Sequence, residues 1–282
     1  MKPAVAATTL RQVLTATGGF SGETEDDAYG FAAARDWIRA ILAGAVRPPG
    51  EAFDYSNGGA HLLSAILVQA TGQSVLEYAR VKLFDPLGIE TRPALEVQPV
   101  ERERDRYARA GFAWLVDPHG RHLGSGFMKL KPADLAKLGV LYLDEGRWQG
   151  RQVVPAAWVR EATTNQLGAL ETSNGLTDGY GYMWWTTTVQ NDPAYLAYGY
   201  GGQMIEIIPE RGLVVIVSSE VPDENAPALG ADQLRYLAES VVAHSSSADP
   251  TGSVRRCLAT AGLSAPDRNG ATTDKATGLA RA

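Results

Sequence analysis

FDYSNGG, Phe53 to Gly59, is the stretch on which the reading of the fold turns, and it sits within PGEAFDYSNGGAHLLSAILVQATG, 49–72. Pro49-Gly50 sets a turn, and Gly58-Gly59 lets another backbone come close just before a helix begins. Leu62, Leu63, Ile66 and Leu67 then recur at helical spacing until Gly72, a residue type suited to a left-handed C-cap. A tyrosine and an asparagine two residues apart on such a corner can serve chemistry. A phenol relays a proton in acyl transfer when a neighbouring cation favours its phenolate, and a carboxamide offers a donor and an acceptor to a substrate amide. The same residues also have a structural use, in which Tyr55 packs and Ser56 or Asn57 caps the helix. Residue chemistry alone leaves both readings open.

Working outward, TLRQVLTATGGF places Leu10, Val13 and Leu14 on one face of a helix ended by Gly18-Gly19. FAAARDWIRAILAGAVRPPG does the same with Trp37, Ile38, Ile41 and Leu42, ended by Pro48-Pro49-Gly50. Downstream, Ser74 and Glu77 form an S-x-x-E capping box, and KPADLAKLGVLYLDEG predicts a helix with Pro132 in its first turn and Gly146 at its end. Near Gly179 the texture changes. YGYMWWTTTV, YLAYGYGGQMIEIIP and GLVVIVSSE are rich in aromatic and β-branched residues and predict three consecutive antiparallel strands, separated by QNDPA and PERG. DQLRYLAESVVAH, with Leu234, Leu237 and Val241 in helical phase, predicts a helix that covers the sheet. The class is α+β rather than alternating βαβ. Residues 247–282 are poor in large apolar side chains and predict a disordered, low-complexity tail, which leaves 1–246 as the folded domain.

Five blocks in this order resemble the serine β-lactamase and penicillin-binding protein superfamily, in particular its β-lactamase-related serine hydrolases. TTLRQVLTATGGF looks like the family segment I-T-x-R-x-L-L-T-H-T-S-G, and FDYSNGG with its following helices looks like the Y-x-N segment. KLKPADLAKLGVLYLDEGRWQGRQVVPAAWV, YGYMWW and YGYGGQMIEIIPERGLVVIV are similar to later family blocks. The resemblance implies a β-lactamase/DD-peptidase-like fold, a helical region plus an antiparallel sheet covered by a C-terminal helix. It implies Tyr55 as the proton-relay residue and Asn57 as a substrate binder. The family's Lys/His-x-Gly strand motif, which lies beside an oxyanion-hole N–H, falls on Ala197-Tyr198-Gly199, with Gly201 and Gly202 just after. Neither Lys nor His stands in that register, which argues against recognition of a substrate carboxylate by a strand cation. The glycines fit a bulge or a tight hairpin equally well.

The family's nucleophile is a Ser-x-x-Lys pair one helical turn apart, so that the lysine amine can take the serine proton. Three residues before Lys82, Lys129, Lys131, Lys137 and Lys275 stand Ala79, Gly126, Met128, Asp134 and Thr272, and nothing stands three before Lys2. No Ser-x-x-Lys is present. Ser125 and Lys129 are also one turn apart, yet they fall in a glycine-rich turn of the resemblance, and Thr272-x-x-Lys275 lies in the tail. By resemblance the pair, the N-terminal helix and the first strands of the sheet precede Met1. The expectation is therefore a hydrolase of a small ester or amide, acting through an acyl-enzyme and inactive without that segment. The alternatives are a non-catalytic binding homologue and a truncated gene fragment.

Composition sets the remaining bounds. A net charge of -6 over 282 residues gives no basic footprint for nucleic acid, and no apolar run is long enough for a membrane span. No signal-peptide pattern opens the chain, so a cytoplasmic location is expected as written. The single cysteine, Cys257, excludes an intrachain disulfide. His61 falls inside a helical pattern and reads as a core or cleft-wall residue. His119 and His122 flank a loop glycine without a third ligand, so neither a metal nor a cofactor is expected. Trp114, Trp184 and Trp185 could line a pocket for an apolar acyl group or simply pack the sheet.

Overall fold

Helices on both faces of a five-stranded antiparallel sheet make up the frame in a computed structural model that describes residues 3–20, 29–170, 172, 176–219 and 231–244. The 247–282 tail, with Cys257, Thr272 and Lys275, lies outside the described residues. Among the described residues no helix is long and apolar enough to cross a membrane.

Helix α1 (Pro3–Ala6) is followed by α2 (Leu10–Leu14), which starts at a reciprocal capping box between Thr9 and Gln12. It ends well before the predicted Gly18-Gly19. Thr17 N bonds back to Gln12 O at 2.8 Å, and Ala16 turns the chain at a φ of 53°. Val13 is buried, whereas Leu10, on the predicted apolar face, is exposed. Asp36 caps α3 (Trp37–Ala43) by accepting from Arg39 N at 3.1 Å, and Trp37 and Ile41 are its buried residues. In α4 (Asn57–Thr71) the inward face is Ala60, His61, Leu62 and Ser64, while Ile66, expected inside, is 42% exposed. Its left-handed C-cap at Gly72 and the Ser74–Glu77 capping box of α5 (Val75–Ala79) are as predicted. Val13, Phe20, Ile41 and Leu62 share one apolar cluster that joins α2, α3 and α4.

After a π-helical turn come α6 (Asp85–Leu87) and α7 (Arg104–Arg109), then a two-stranded ribbon of β1 (Ala113–Trp114) and β2 (Met128–Lys129). Helix α8 (Pro132–Leu143) opens on Pro132 as expected. A second ribbon, β3 (Arg147–Trp148) and β4 (Arg151–Gln152), leads to α9 (Ala156–Ala162).

The main sheet runs β5 (Gly179–Tyr180), β6 (Trp185–Val189), β7 (Asp192–Gly199), β8 (Gln203–Ile208) and β9 (Leu213–Val217), each hydrogen-bonded antiparallel to the next. Five strands replace the three predicted. YGYMWWTTTV breaks at Met183, whose φ is 62°, and YLAYGYGGQMIEIIP folds back at Gly199–Gly202. The turns lie inside continuous aromatic and β-branched text, which conceals them from a propensity reading. Of the predicted break QNDPA only Gln190 and Asn191 make the turn, with φ of 50° and 75°, the signature of a type I′ hairpin, and Asp192, Pro193 and Ala194 already belong to β7. PERG forms a 3-10 turn ended by Gly212.

Alternation along β8 sends Ile205 towards α8, where Gly139 meets it and Val214, and sends Met204 and Ile208 to the opposite face. There α10 (Ala231–His244) buries Leu234, Ala238 and Val242. Leu237 and Val241, expected on that stripe, are only half-buried, so the helix is rotated from the predicted face.

Candidate active-site cleft

Main-chain bonds fix the segment that carries Tyr55. Val46 N donates to Gly19 O at 3.0 Å, Gly50 N to Thr17 O at 2.7 Å, and Asp54 N to Ala16 O at 2.8 Å. Residues 46–54 are thereby laced to 16–19 before α4 begins. Ser56 is the N-cap: its Oγ accepts from Gly59 N at 2.8 Å and donates to Phe20 O at 2.9 Å. The capping role in FDYSNGG belongs to Ser56, while Asn57 becomes the half-buried first residue of α4.

Period-two alternation turns Phe53 and Tyr55 to the same aromatic cluster. Phe53 lies 5.2 Å from the Tyr180 ring and 5.6 Å from Trp185, and Tyr55 stacks on Trp185 at 5.5 Å and 22°. Tyr55 keeps 42% of its surface exposed although its ring packs, so the phenol stands at the rim of the cluster. Trp185 also touches Tyr198, centroid to centroid 5.7 Å. The Tyr55 corner and the end of β7, Ala197-Tyr198-Gly199, are thus joined through one indole.

Gly201 and Gly202 form the β7–β8 turn, closed by Gly202 N to Gly199 O at 3.2 Å. With a φ of 83°, Gly201 occupies the position of a type II turn that side chains avoid. The tight-hairpin reading of these two glycines is the one the structure carries. Ser219 Oγ donates to Gly201 O, and Gln203 Nε2 to Ser219 O, which braces the turn.

Beside Tyr55 a narrow cleft of about 10 Å³, room for about one water, is lined by Val13, Ala16, Phe20, Tyr180 and Met183, with Asp54 as its charged residue. Arg47 Nη1 pairs with Asp54 Oδ2 at 3.3 Å. Burial holds the Tyr180 phenol far above its ordinary pKa, with Tyr55 and Tyr198 pushing the same way, and burial raises Tyr198 as well. Tyr180 Oη donates to Met183 Sδ at 3.8 Å, so the floor of the cleft is apolar. Sequence reasoning missed Tyr180, Met183 and Asp54; the F-x-Y alternation places the Phe53 and Tyr55 rings on one face and no more.

The other candidates lie elsewhere. Trp184 packs between Tyr142 and Tyr195 on the α8 face, and Trp114 donates to Leu123 O at 2.9 Å, so of the three tryptophans Trp185 alone joins the Tyr55 cluster. Lys129 Nζ is held by the carbonyls of Tyr107 and Ala108, and Ser125 Oγ accepts from Tyr29 Oη at 3.3 Å. They form no serine–lysine pair. His61 is fully buried. Its Nε2 sits 3.4 Å from Asp117 Oδ2 and its Nδ1 accepts from Gly124 N, while burial lowers its pKa against the pull of Asp117. His122 Nε2 is 3.0 Å from Glu96 Oε2 without hydrogen-bond alignment, and burial lowers its pKa too. Among the described residues no group of three or more His, Cys, Asp or Glu could hold a metal ion.

The Beta-lactamase family model matches residues 2–240. Penicillin-binding protein 4 of Amycolatopsis lactamdurans is 28% identical over 222 residues, 73% of this chain and 58% of that protein. The octameric penicillin-binding protein homologue of Pyrococcus abyssi superposes with a TM-score of 0.57 at 20% identity, over 84% of this chain and 55% of that one. A variant of simvastatin synthase from Aspergillus terreus superposes with a TM-score of 0.56 at 17% identity, over 83% of this chain and 68% of that one. This chain spans little more than half the length of the two penicillin-binding relatives.

Proposed function

Because this chain belongs to the beta-lactamase family, we propose that it carries the tyrosine–asparagine half of a serine hydrolase that cleaves a small ester or amide through an acyl-enzyme. Tyr55 relays the proton between nucleophile and leaving group, and Asn57 binds the substrate amide or ester. The observation that supports this is the Tyr55–Trp185–Tyr198 contact, which holds the phenol at the rim of a cleft beside the end of β7. A backbone N–H at that strand end would serve as an oxyanion donor.

The 282 residues contain no Ser-x-x-Lys. In this reading they do not acylate by themselves. Incubation with a fluorophosphonate, followed by intact-mass analysis, is expected to leave the mass unchanged; an adduct mapped to one serine of the folded domain overturns the assignment. A second reading, a non-catalytic homologue that binds a small amide, is supported by a cleft formed among these residues without a nucleophile. Reversible binding without a covalent adduct distinguishes it from a chain with no function.

A further inference from the structure

We infer that Met183 is a site of oxidation by hydrogen peroxide, and that Tyr180 restricts the product to one of the two sulfoxide epimers. Such oxidation changes a flexible apolar side chain into a polar, chiral one.

The turn between β5 and β6 fixes the residue. Gly181 N donates to Trp184 O at 2.7 Å and Met183 N to Leu14 O at 3.0 Å, with Met183 at a φ of 62°. Met183 is half-buried and lines the narrow cleft, whose room for about one water suits an oxidant little larger than water. The other methionines among the described residues are placed differently. Met204 is 2% exposed, and Met128, though half-buried, packs from β2 against the apolar cluster of Phe84, Phe112 and Leu141. A thioether sulfur carries two lone pairs, and oxygen added at one or the other gives one or the other epimer. Tyr180 Oη donates to Met183 Sδ at 3.8 Å and so covers one of them. Burial keeps that phenol protonated, and therefore a donor. The free lone pair attacks one oxygen of the peroxide. An S–O bond forms, the O–O bond breaks, the proton on the attacked oxygen passes to the departing one, and water leaves. Sulfur is oxidised and peroxide reduced, with no further reactant. The new oxygen is thereby set on the side of the sulfur away from Tyr180.

The test exposes the whole 282-residue protein, folded, to hydrogen peroxide and maps the added oxygen by mass spectrometry of its peptides. Met183 is expected to oxidise at least about fivefold faster than Met128 and Met204. Equal or faster oxidation of either of those two overturns Met183 as the site. The peptide carrying residue 183 is then treated with the two methionine sulfoxide reductases, each of which reduces one epimer. One reductase is expected to remove almost all of the oxygen at Met183 and the other almost none, whereas a mixture of epimers overturns the part given to Tyr180. Tyr180→Phe keeps the ring, removes the hydroxyl and is expected to yield both epimers. A single epimer from that variant in its folded form would also overturn the part of Tyr180, since the hydroxyl would not be selecting the lone pair. Should the variant fail to fold, the oxidation rates and the epimer ratio of the native protein decide.

Discussion

The ring of Tyr55 lies nearly parallel to the indole of Trp185, with centroids 5.5 Å apart and an interplanar angle of 22°. Tyr55 comes from the turn before α4 and Trp185 from the first residue of β6, so the contact joins the helical half of the molecule to the sheet. Trp185 is almost wholly buried, while Tyr55 is not.

That asymmetry separates two variants. Trp185→Ala is expected to cost about 3–5 kcal/mol, the range for removing a large aromatic from a core. Tyr55→Phe keeps the stack and is expected to stay within about 0.5 kcal/mol of the native protein. Urea denaturation measures both. A large loss in Tyr55→Phe would show that the hydroxyl is structural, against its assignment as a proton relay.

Glu206 is 2% exposed on the α10-facing side of β8, and its Oε2 has no hydrogen-bond partner among the described residues. Burial pushes its pKa up to about 7, opposed by Arg235 of α10. A carboxyl raised on folding contributes its stability fully below the unfolded value near 4.5 and loses it as pH rises through about 7. The loss is on the order of 3 kcal/mol at most. Glu206→Gln is therefore expected to raise Tm at pH 8 and to have little effect at pH 4.5. Destabilisation at pH 8 would mean that Glu206 is ionised there and held by Arg235.

His61 and His122 act in the opposite direction. Burial lowers both pKa values from 6.5, so their contribution is present above pH 6.5 and is lost as pH falls towards the folded values. Stability in urea is expected to fall between pH 6.5 and 5. His122→Leu, which removes an unpartnered buried Nδ1, is expected to reduce that fall with little change at pH 7.5. An identical acid response in this variant would remove His122 from the account.

Gly124 presses against the first turns of α4, where a Cβ would lie 2.2 Å from Ala60 O. The obstacle is main chain and cannot rotate away. Gly124→Ala is expected to cost about 2–3 kcal/mol and to loosen the Gly124 N to His61 Nδ1 contact. Chemical denaturation reports the first effect and the amide exchange of Gly124 the second. A neutral result would mean that the loop at 117–124 shifts freely.

Local signals were legible where one short segment decides its own geometry. Gly72 closes α4, Ser74 and Glu77 box the start of α5, and Pro132 opens α8, because capping and φ restriction act over one turn of chain. The order of the family blocks carried the class and the family, and it singled out Tyr55. Only the tertiary structure decided which faces are buried: Ile66 is outside, and α10 is rotated onto Ala238 and Val242. It also decided that YLAYGYGGQMIEIIP is two strands rather than one, since that turn depends on Gly201 finding a braced left-handed position. The cleft belongs to the same class of outcome. Val13, Asp54 and Tyr180 are far apart in sequence, and no local preference records that burial brings their side chains together. Short-range sterics and hydrogen bonds write themselves into adjacent residues; long-range packing is set by what the other elements leave uncovered.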